Sequence, residues 1–315
     1  MSVLITGGTG FIGAKVAATL AAQGEEVVCF DLSPNRERVA NLGDRVHTVR
    51  GDVVQFSDLL AAVREWKVVK IIHLAYVKTS QAERAFHLAT RVNVLGTDNV
   101  YEVSRLMGVS RVVITSSIGA NGLQSSYGER EVTEDEEGHP VSSYGAMKAF
   151  NEFMGKKYAE LYGIEFAALR ITFAYGDGLE SLPTWPSDYA SYPAVGKSIQ
   201  LPTTADQVYN LIYVDDVAEE LALLCQAKKL NHSVYFSGGE TASVGELVNA
   251  MREYIPDADV TFSDSPQYLA HQYIYRVDTS RLKEDVGFVA RPLKEGVLAH
   301  INEVRVLNGL PPIRR

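Results

Sequence analysis

The chain has 315 residues, 46% of them hydrophobic, enough for a full core in one large α/β unit or two modest lobes, so a disordered chain is excluded. Thirty Lys and Arg against 39 Asp and Glu leave a formal charge of −9, and a general nucleic-acid surface, which needs clustered cations, is not expected. Two cysteines and seven scattered histidines give neither a disulfide framework nor metal-ligand spacing, and no run of about 18 apolar residues marks a membrane span, so a metal-free, non-membrane protein of a reducing cytoplasm is expected.

Val3-Leu4-Ile5 reads as a strand, Gly7, Gly8, Gly10 and Gly13 as a tight turn, and Phe11 as the start of a helix. That helix carries Ile12, Val16, Ala17 and Leu20 at helical spacing and stops at Gly24. A backbone that approaches a pyrophosphate cannot carry Cβ atoms, and free N–H groups at a helix start favour an anion. The next strand, Glu26–Phe30, ends in Asp31, eighteen residues after Gly13. A dinucleotide fold places there the carboxylate that accepts both hydroxyls of the adenosine ribose, and this context marks a nucleotide site rather than a bare turn.

A polar stretch, Ser33–Arg38, precedes the strand Val46–Val49, which runs into Gly51-Asp52-Val53. Asp52 reads equally as a partner of the adenine amino group and as a helix N-cap. Arg36 and Arg38 raise a 2′-phosphate site, but Asp31 would repel that phosphate, so NAD is favoured over NADP. After a helix over Leu59–Trp66, Val68–Leu74 is a continuous apolar strand suited to a doubly covered parallel sheet. At its end Leu74 and Ala75 suit a backbone lying beside the cofactor, while His73 reads as a packing residue. One long helix is expected over Ala82–Met107, with Asn93 needing a partner if it points inward. The strand Arg111–Ile114 ends in Thr115-Ser116-Ser117, hydroxyls at the edge where open α/β sheets bind ligands. Glu129–Glu137 reads as a solvated surface turn.

Ser142-Ser143-Tyr144-Gly145-Ala146-Met147-Lys148 opens a helix that runs to Gly163. Tyr144 and Lys148 share a helix face, and an ammonium near a phenol lowers a pKa otherwise near 10, as a general acid–base requires; an ordinary exposed pair has the same spacing. A sixth strand, Phe166–Arg170, leads to Ile171-Thr172-Phe173. Residues 179–209 show little periodicity and read as a loop-rich cap; Asn210–Val214 resumes a strand, followed by a helix through Cys225. Val234–Ser237 is a further strand, Ser243 caps a helix from Val244, and a last helix falls near Leu293–Leu307.

In order and spacing, Thr6–Gly13, Asp31, Asp52-Val53, His73-Leu74-Ala75, Asn93, Thr115-Ser116-Ser117, Tyr144 with Lys148, Arg170 through Tyr175-Gly176, and Tyr213–Ala218 resemble the extended short-chain dehydrogenase/reductase family, in its NAD-dependent epimerase/dehydratase branch. The resemblance implies a Rossmann doubly wound parallel sheet over residues 1–172 and 210–237, with a smaller C-terminal α/β substrate lobe and cap over 173–209 and 238–315. It implies NAD held by Gly7, Gly10, Phe11, Ile12, Gly13, Asp31, Asp52, Val53, Leu74, Ala75, Asn93, Thr115, Tyr144, Lys148, Ile171 and Thr172. It further implies that Tyr144 takes the substrate proton, that Lys148 binds the nicotinamide ribose and lowers the Tyr144 pKa, and that Ser117, with Ser116 as the second choice, holds the substrate oxygen. A homodimer through the helices of Ala82–Met107 and Tyr144–Tyr162 is implied as well.

Departures from the family pattern narrow the chemistry. Ile118-Gly119 follows Ser117 where 4,6-dehydratases carry an Asp-Glu pair, so dehydration is not expected. Phe173 replaces an Asn, and Tyr209-Asn210 replaces an Arg-Asp pair, of the sugar-nucleotide enzymes, which removes partners for a diphosphate. Phe173, Trp185, Tyr189, Tyr192 and Tyr209 are the substrate-side candidates; the cap aromatics equally suit a small core of their own. A dehydrogenase or ketoreductase of a small hydroxy/keto compound is the first expectation. The alternatives are a nucleotide-sugar epimerase with altered diphosphate contacts and a non-catalytic NAD-binding sensor or scaffold.

Overall fold

The computed structural model describes residues 2–179, 184–264 and 273–314. Strands β1 (Ser2–Thr6), β2 (Glu26–Asp31), β3 (Val46–Arg50), β4 (Val68–His73), β5 (Arg111–Ser117), β6 (Glu165–Ile171) and a later strand, β10 (Val234–Phe236), form one parallel sheet in the order β10-β6-β5-β4-β1-β2-β3. The strands are apolar on both faces because both are covered. Val3, Ile5, Val27 and Cys29 face α1 (Phe11–Ala22) and α8 (Val214–Gln226), whereas Leu4, Val28 and Phe30 face α2 (Phe56–Glu65) and α5 (Gly96–Met107). The order reverses between β1 and β4, and the crevice at their C-terminal ends is where ligands of such sheets bind. Cys29 and Cys225 are free thiols buried in the core. Among the described residues no helix is long and apolar enough to cross a membrane.

The single helix expected over 82–107 is broken. Helices α3 (Thr79–Ala82) and α4 (Phe86–Ala89) lead into a π-helical turn over Thr90–Leu95 before α5. In the wider turn the Asn93 carbonyl takes the Thr97 hydroxyl and the Asn151 amide, both at 2.7 Å. The Asn93 side chain is wholly buried and clamps the Val77 peptide, accepting its N–H at 2.7 Å and donating to its carbonyl at 3.0 Å. Asn93 thereby fixes the loop after β4.

The second lobe holds a three-stranded sheet of β7 (Phe173–Tyr175), β9 (Val208–Tyr213) and β11 (Glu240–Ser243), and a pair formed by β8 (Ile199–Leu201) and β12 (Val260–Phe262). Helices α7 (Trp185–Ala194), α9 (Val244–Arg252) and α11 (Leu293–Leu307) pack on these strands in one aromatic-rich cluster. Ser243 caps α9 in a capping box with Glu246.

Four further expectations from the sequence are corrected by the structure. The stretch 179–209 contains α7 and β8: Pro186 sits in the first turn, where a missing N–H is harmless, and Trp185, Tyr189, Ala190 and Ala194 bury one face. Residues 210–213 pair with β7 and β11 rather than with the main sheet, because Leu211 and Tyr213 point into the second lobe's core while Ile212 faces the first. Conversely, α10 (Ser280–Val286) brings Leu282 back onto the dinucleotide-side core. Within the acidic stretch 129–137, Glu134 is buried rather than solvated, accepting the Phe236 N–H at 3.0 Å and pairing with Arg281 at 3.4 Å.

Candidate active site

At the switch point β1 runs into the glycine turn. Gly7 has φ +67° and donates its N–H to the Phe30 carbonyl at 2.8 Å, fixing the turn to β2. A Cβ on Gly13 would lie 2.2 Å from the Gly7 oxygen, and one on Gly8 would lie 2.7 Å from the Cys29 Cα. Gly10 donates its N–H to the Gly7 carbonyl at 3.0 Å, and the helix start that follows at Phe11 has no side-chain cap among the described residues, so the N–H groups of that first turn stay available to an anion. Phe11 and Ile12 pack against the second lobe's core, so the turn sits between the lobes.

Asp31, at the end of β2, is half-buried and accepts the Thr9 hydroxyl at 2.8 Å and the Ser33 N–H at 3.2 Å; Thr9 in turn accepts the Asn35 N–H at 3.0 Å. Asp52 is not a helix N-cap, which is Gln55; it closes an Asx turn on the Val54 N–H at 2.9 Å. Val53 is buried, with its carbonyl held by Asn99 at 2.9 Å. The Thr6 hydroxyl gathers the Leu74 and Ala75 N–H groups at 3.1 and 3.2 Å and the His73 Nδ1 at 2.6 Å. His73 also meets Thr97 at 3.0 Å, and burial with Lys148 nearby pushes its imidazole down to about 3, so it is a neutral packing residue as expected.

Sequence reasoning missed Lys78. Its Nζ lies 6.0 Å from the centre of the Phe11 ring, and the Arg38 guanidinium acts on it electrostatically while donating to the Gly178 carbonyl at 2.8 Å. Lys78 thus stands beside the uncapped start of α1, within electrostatic reach of Arg38. The signal was a lysine in the loop after a switch-point strand.

Ser142 caps α6 (Ser143–Tyr162), its hydroxyl accepting the Gly145 N–H at 3.1 Å, and this places Tyr144 in the first turn and Lys148 one turn later. A Cβ on Gly145 would lie 2.2 Å from the Gly119 oxygen, so glycine lets α6 press against the end of β5. There the Ser117 hydroxyl accepts the Gly119 N–H at 3.0 Å and favours ionisation of the neighbouring Tyr144 phenol. Burial nonetheless raises the Tyr144 phenol above its ordinary value, with the Ser117 hydroxyl opposing and Tyr273 adding to the rise.

The expected lowering by Lys148 is absent for a geometric reason. Lys148 turns its ammonium to the Thr115 carbonyl at 2.5 Å and lies 3.4 Å from the Tyr76 ring centre, against 5.5 Å for Tyr144. Burial pushes this ammonium down to about 7, with Glu152 opposing. Beyond it, at the end of β6, Ile171 is half-buried, and the Thr172 hydroxyl is buried with no hydrogen-bond partner among the described residues.

The substrate-side aromatics separate into two kinds. Phe173 stacks on Tyr209 at 4.2 Å and on Trp185 at 5.2 Å, and Phe173 and Tyr209 remain half-buried. Trp185 and Tyr189 are buried in the lobe's own core, Tyr189 edge-on to His300 at 5.4 Å, and Tyr192 is exposed. Asn210 spends its amide on the Gly239 N–H at 3.0 Å and the Thr241 hydroxyl at 3.3 Å.

A parallel sheet with an uncapped glycine turn at its switch point, and a serine, tyrosine and lysine gathered beside it, defines a Rossmann-fold enzyme of nicotinamide chemistry. Residues 3–236 match the model of the NAD dependent epimerase/dehydratase family, and the chain belongs to that family. It is 28% identical over 94% of its length to UDP-glucose 4-epimerase of Mycolicibacterium smegmatis, covering 96% of that protein. It is 26% identical over 91% of its length to the mitochondrial L-threonine 3-dehydrogenase of Bos taurus, covering 78% of that protein. The solved structure of Thermus thermophilus UDP-glucose 4-epimerase with NAD superposes with a TM-score of 0.84, at 27% identity over 97% of this chain and 99% of that one. The cofactor is NAD, and the glycine cradle, the free helix start and the orphaned Thr172 hydroxyl fit it.

Proposed function

We propose that this chain is an NAD-dependent dehydrogenase or ketoreductase of a hydroxy/keto compound that carries no diphosphate. The observation that supports this choice is the Phe173–Trp185–Tyr209 stack, with Asn210 committed to the Gly239 loop: an aromatic wall stands where the resemblance expects charged diphosphate partners. An epimerase is the second reading, favoured by the epimerase relatives. Arg38 already holds the Gly178 carbonyl, which agrees with NAD over NADP.

Bound at the glycine turn, NAD supplies the hydride acceptor or donor. Ser117 holds the substrate oxygen, and the Tyr144 phenol exchanges its proton. A raised phenol is protonated at neutral pH and so is set to donate to a carbonyl during reduction; in oxidation the phenolate needs the Lys148 ammonium turned from Thr115 toward it. Phe86, Leu88, Leu95 and Leu106, with Phe150, Phe153 and Leu161 on α6, are exposed apolar side chains on the elements the resemblance assigns to a dimer, and we propose a cytoplasmic homodimer.

Hydroxy acids, simple alcohols and sugar nucleotides offered with NAD or NADP, followed by nicotinamide absorbance, test the reading. Net reduction of NAD by a hydroxy compound is expected. Inversion of a sugar nucleotide without net absorbance change would instead establish the epimerase.

A further inference from the structure

The Lys148 ammonium is almost wholly buried, and among the described residues the Thr115 carbonyl is the hydrogen-bond acceptor it meets. One carbonyl does little to replace the water an ammonium loses. Over the ammonium lies the face of Tyr76, 3.4 Å from Nζ to ring centre, well inside the ~6 Å reach of a cation–π contact and nearer than the Tyr144 ring at 5.5 Å. Tyr76 also meets Tyr144 edge to face at 5.3 Å. Its own position is fixed from two sides. The Asn151 amide donates to its hydroxyl at 3.2 Å, and the next residue, Val77, is clamped by Asn93. Asn151 spans the π turn as well, reaching the Asn93 carbonyl and the Thr97 hydroxyl.

We propose that Tyr76 is a positioning residue of the active site, whose ring face holds the Lys148 ammonium and whose edge contact sets the Tyr144 phenol. This rests on the reading of Lys148 and Tyr144 as the reacting pair. The charged and titratable groups around Lys148 are Glu152 and Tyr144 on its own helix, His73 at the end of β4, and Tyr76 on the loop beyond. Glu152 is bound to Arg170 and Ser116, and His73 is neutral, so neither takes over the ring's place if it is lost.

The test is the titration of Lys148 in the full-length protein, followed by NMR of 13C-labelled lysine with the resonance assigned through Lys148→Arg. Phenylalanine and its mono-, di- and trifluorinated analogues are placed at position 76, which keeps the ring's shape while draining its negative face. Weakening that face disfavours the ammonium, so the Lys148 pKa falls stepwise, by about one unit across the series. Tyr76→Phe stays within a few tenths of a unit of the parent, whereas Tyr76→Leu drops to the bottom of the series. A flat response across the fluorinated rings overturns the proposal. The readout needs no turnover: a protein without hydride-transfer activity whose Lys148 still follows the series would refute the function proposed above and leave the contact standing.

Discussion

Gly13→Ala isolates the demand that the cofactor turn makes on the backbone. The added methyl would sit 2.2 Å from the Gly7 oxygen and 2.8 Å from the Gly8 Cα, more than 1 Å inside ordinary contact for the first. Both neighbours are main chain, so no rotamer change relieves the clash, and the turn must move away from α1. Overpacking of this kind costs about 2 kcal/mol, which lowers NAD affinity by roughly 30-fold if the displaced turn carries the loss. Gly24→Ala is the control. It has φ +88° and nothing within 4 Å of the new methyl, so it costs about 1 kcal/mol of stability through backbone strain while NAD binds as before. Calorimetric titration with NAD beside chemical denaturation separates the two. If Gly13→Ala binds NAD within threefold of the parent, the turn does not cradle the cofactor.

Tyr144→Phe removes the exchangeable proton, so kcat is expected to fall about 10²- to 10⁴-fold while NAD affinity, read by titration, changes little. Glu152→Ala leaves the buried Arg170 guanidinium, now held at 2.7 and 2.9 Å, without its carboxylate, and denaturant melts should show a loss of about 3–5 kcal/mol. Burial pushes both His73 and His300 down to about 3. The unfolded chain therefore takes up protons that the folded one refuses; their contribution is complete above about pH 6.5 and is lost as pH falls toward 3, about 2 kcal/mol per histidine by pH 5. Melts at pH 7 and pH 5 should lose less stability on acidification in His300→Gln than in the parent. Phe153→Asp on the exposed face of α6 should yield monomers in sedimentation, against dimers for the parent.

Much of the central sheet was legible because its strands are apolar on both faces and stop at glycines, acids or hydroxyls. The α4–α5 region was not, since a π turn leaves no mark in hydrophobic spacing; the mark it did leave was Asn93, a buried amide in need of a partner, which proves to be the Val77 peptide. The boundary between lobes was misplaced at β9 for a related reason. Its alternating apolar residues feed two cores at once, and periodicity says that a face is buried without saying by what.

The two halves of the site differ in legibility for physical reasons. A turn that must bring main chain against an anion has almost no substitute for glycine, so the residue names carry the geometry. The phenol and the ammonium have no such uniqueness. Spacing put Tyr144 and Lys148 on one face and implied a direct electrostatic pairing, yet the ammonium faces Thr115 and Tyr76, and burial leaves the phenol raised. A helical offset fixes where two side chains start, whereas the lowest-energy partner of a buried cation is set by whatever acceptor or ring a third element brings. Here that element is the loop clamped by Asn93, so Asn93→Ala should loosen Tyr76 and lower the Lys148 pKa without touching either residue. A Lys148 titration unchanged in Asn93→Ala would show that the ring is held by Asn151 alone.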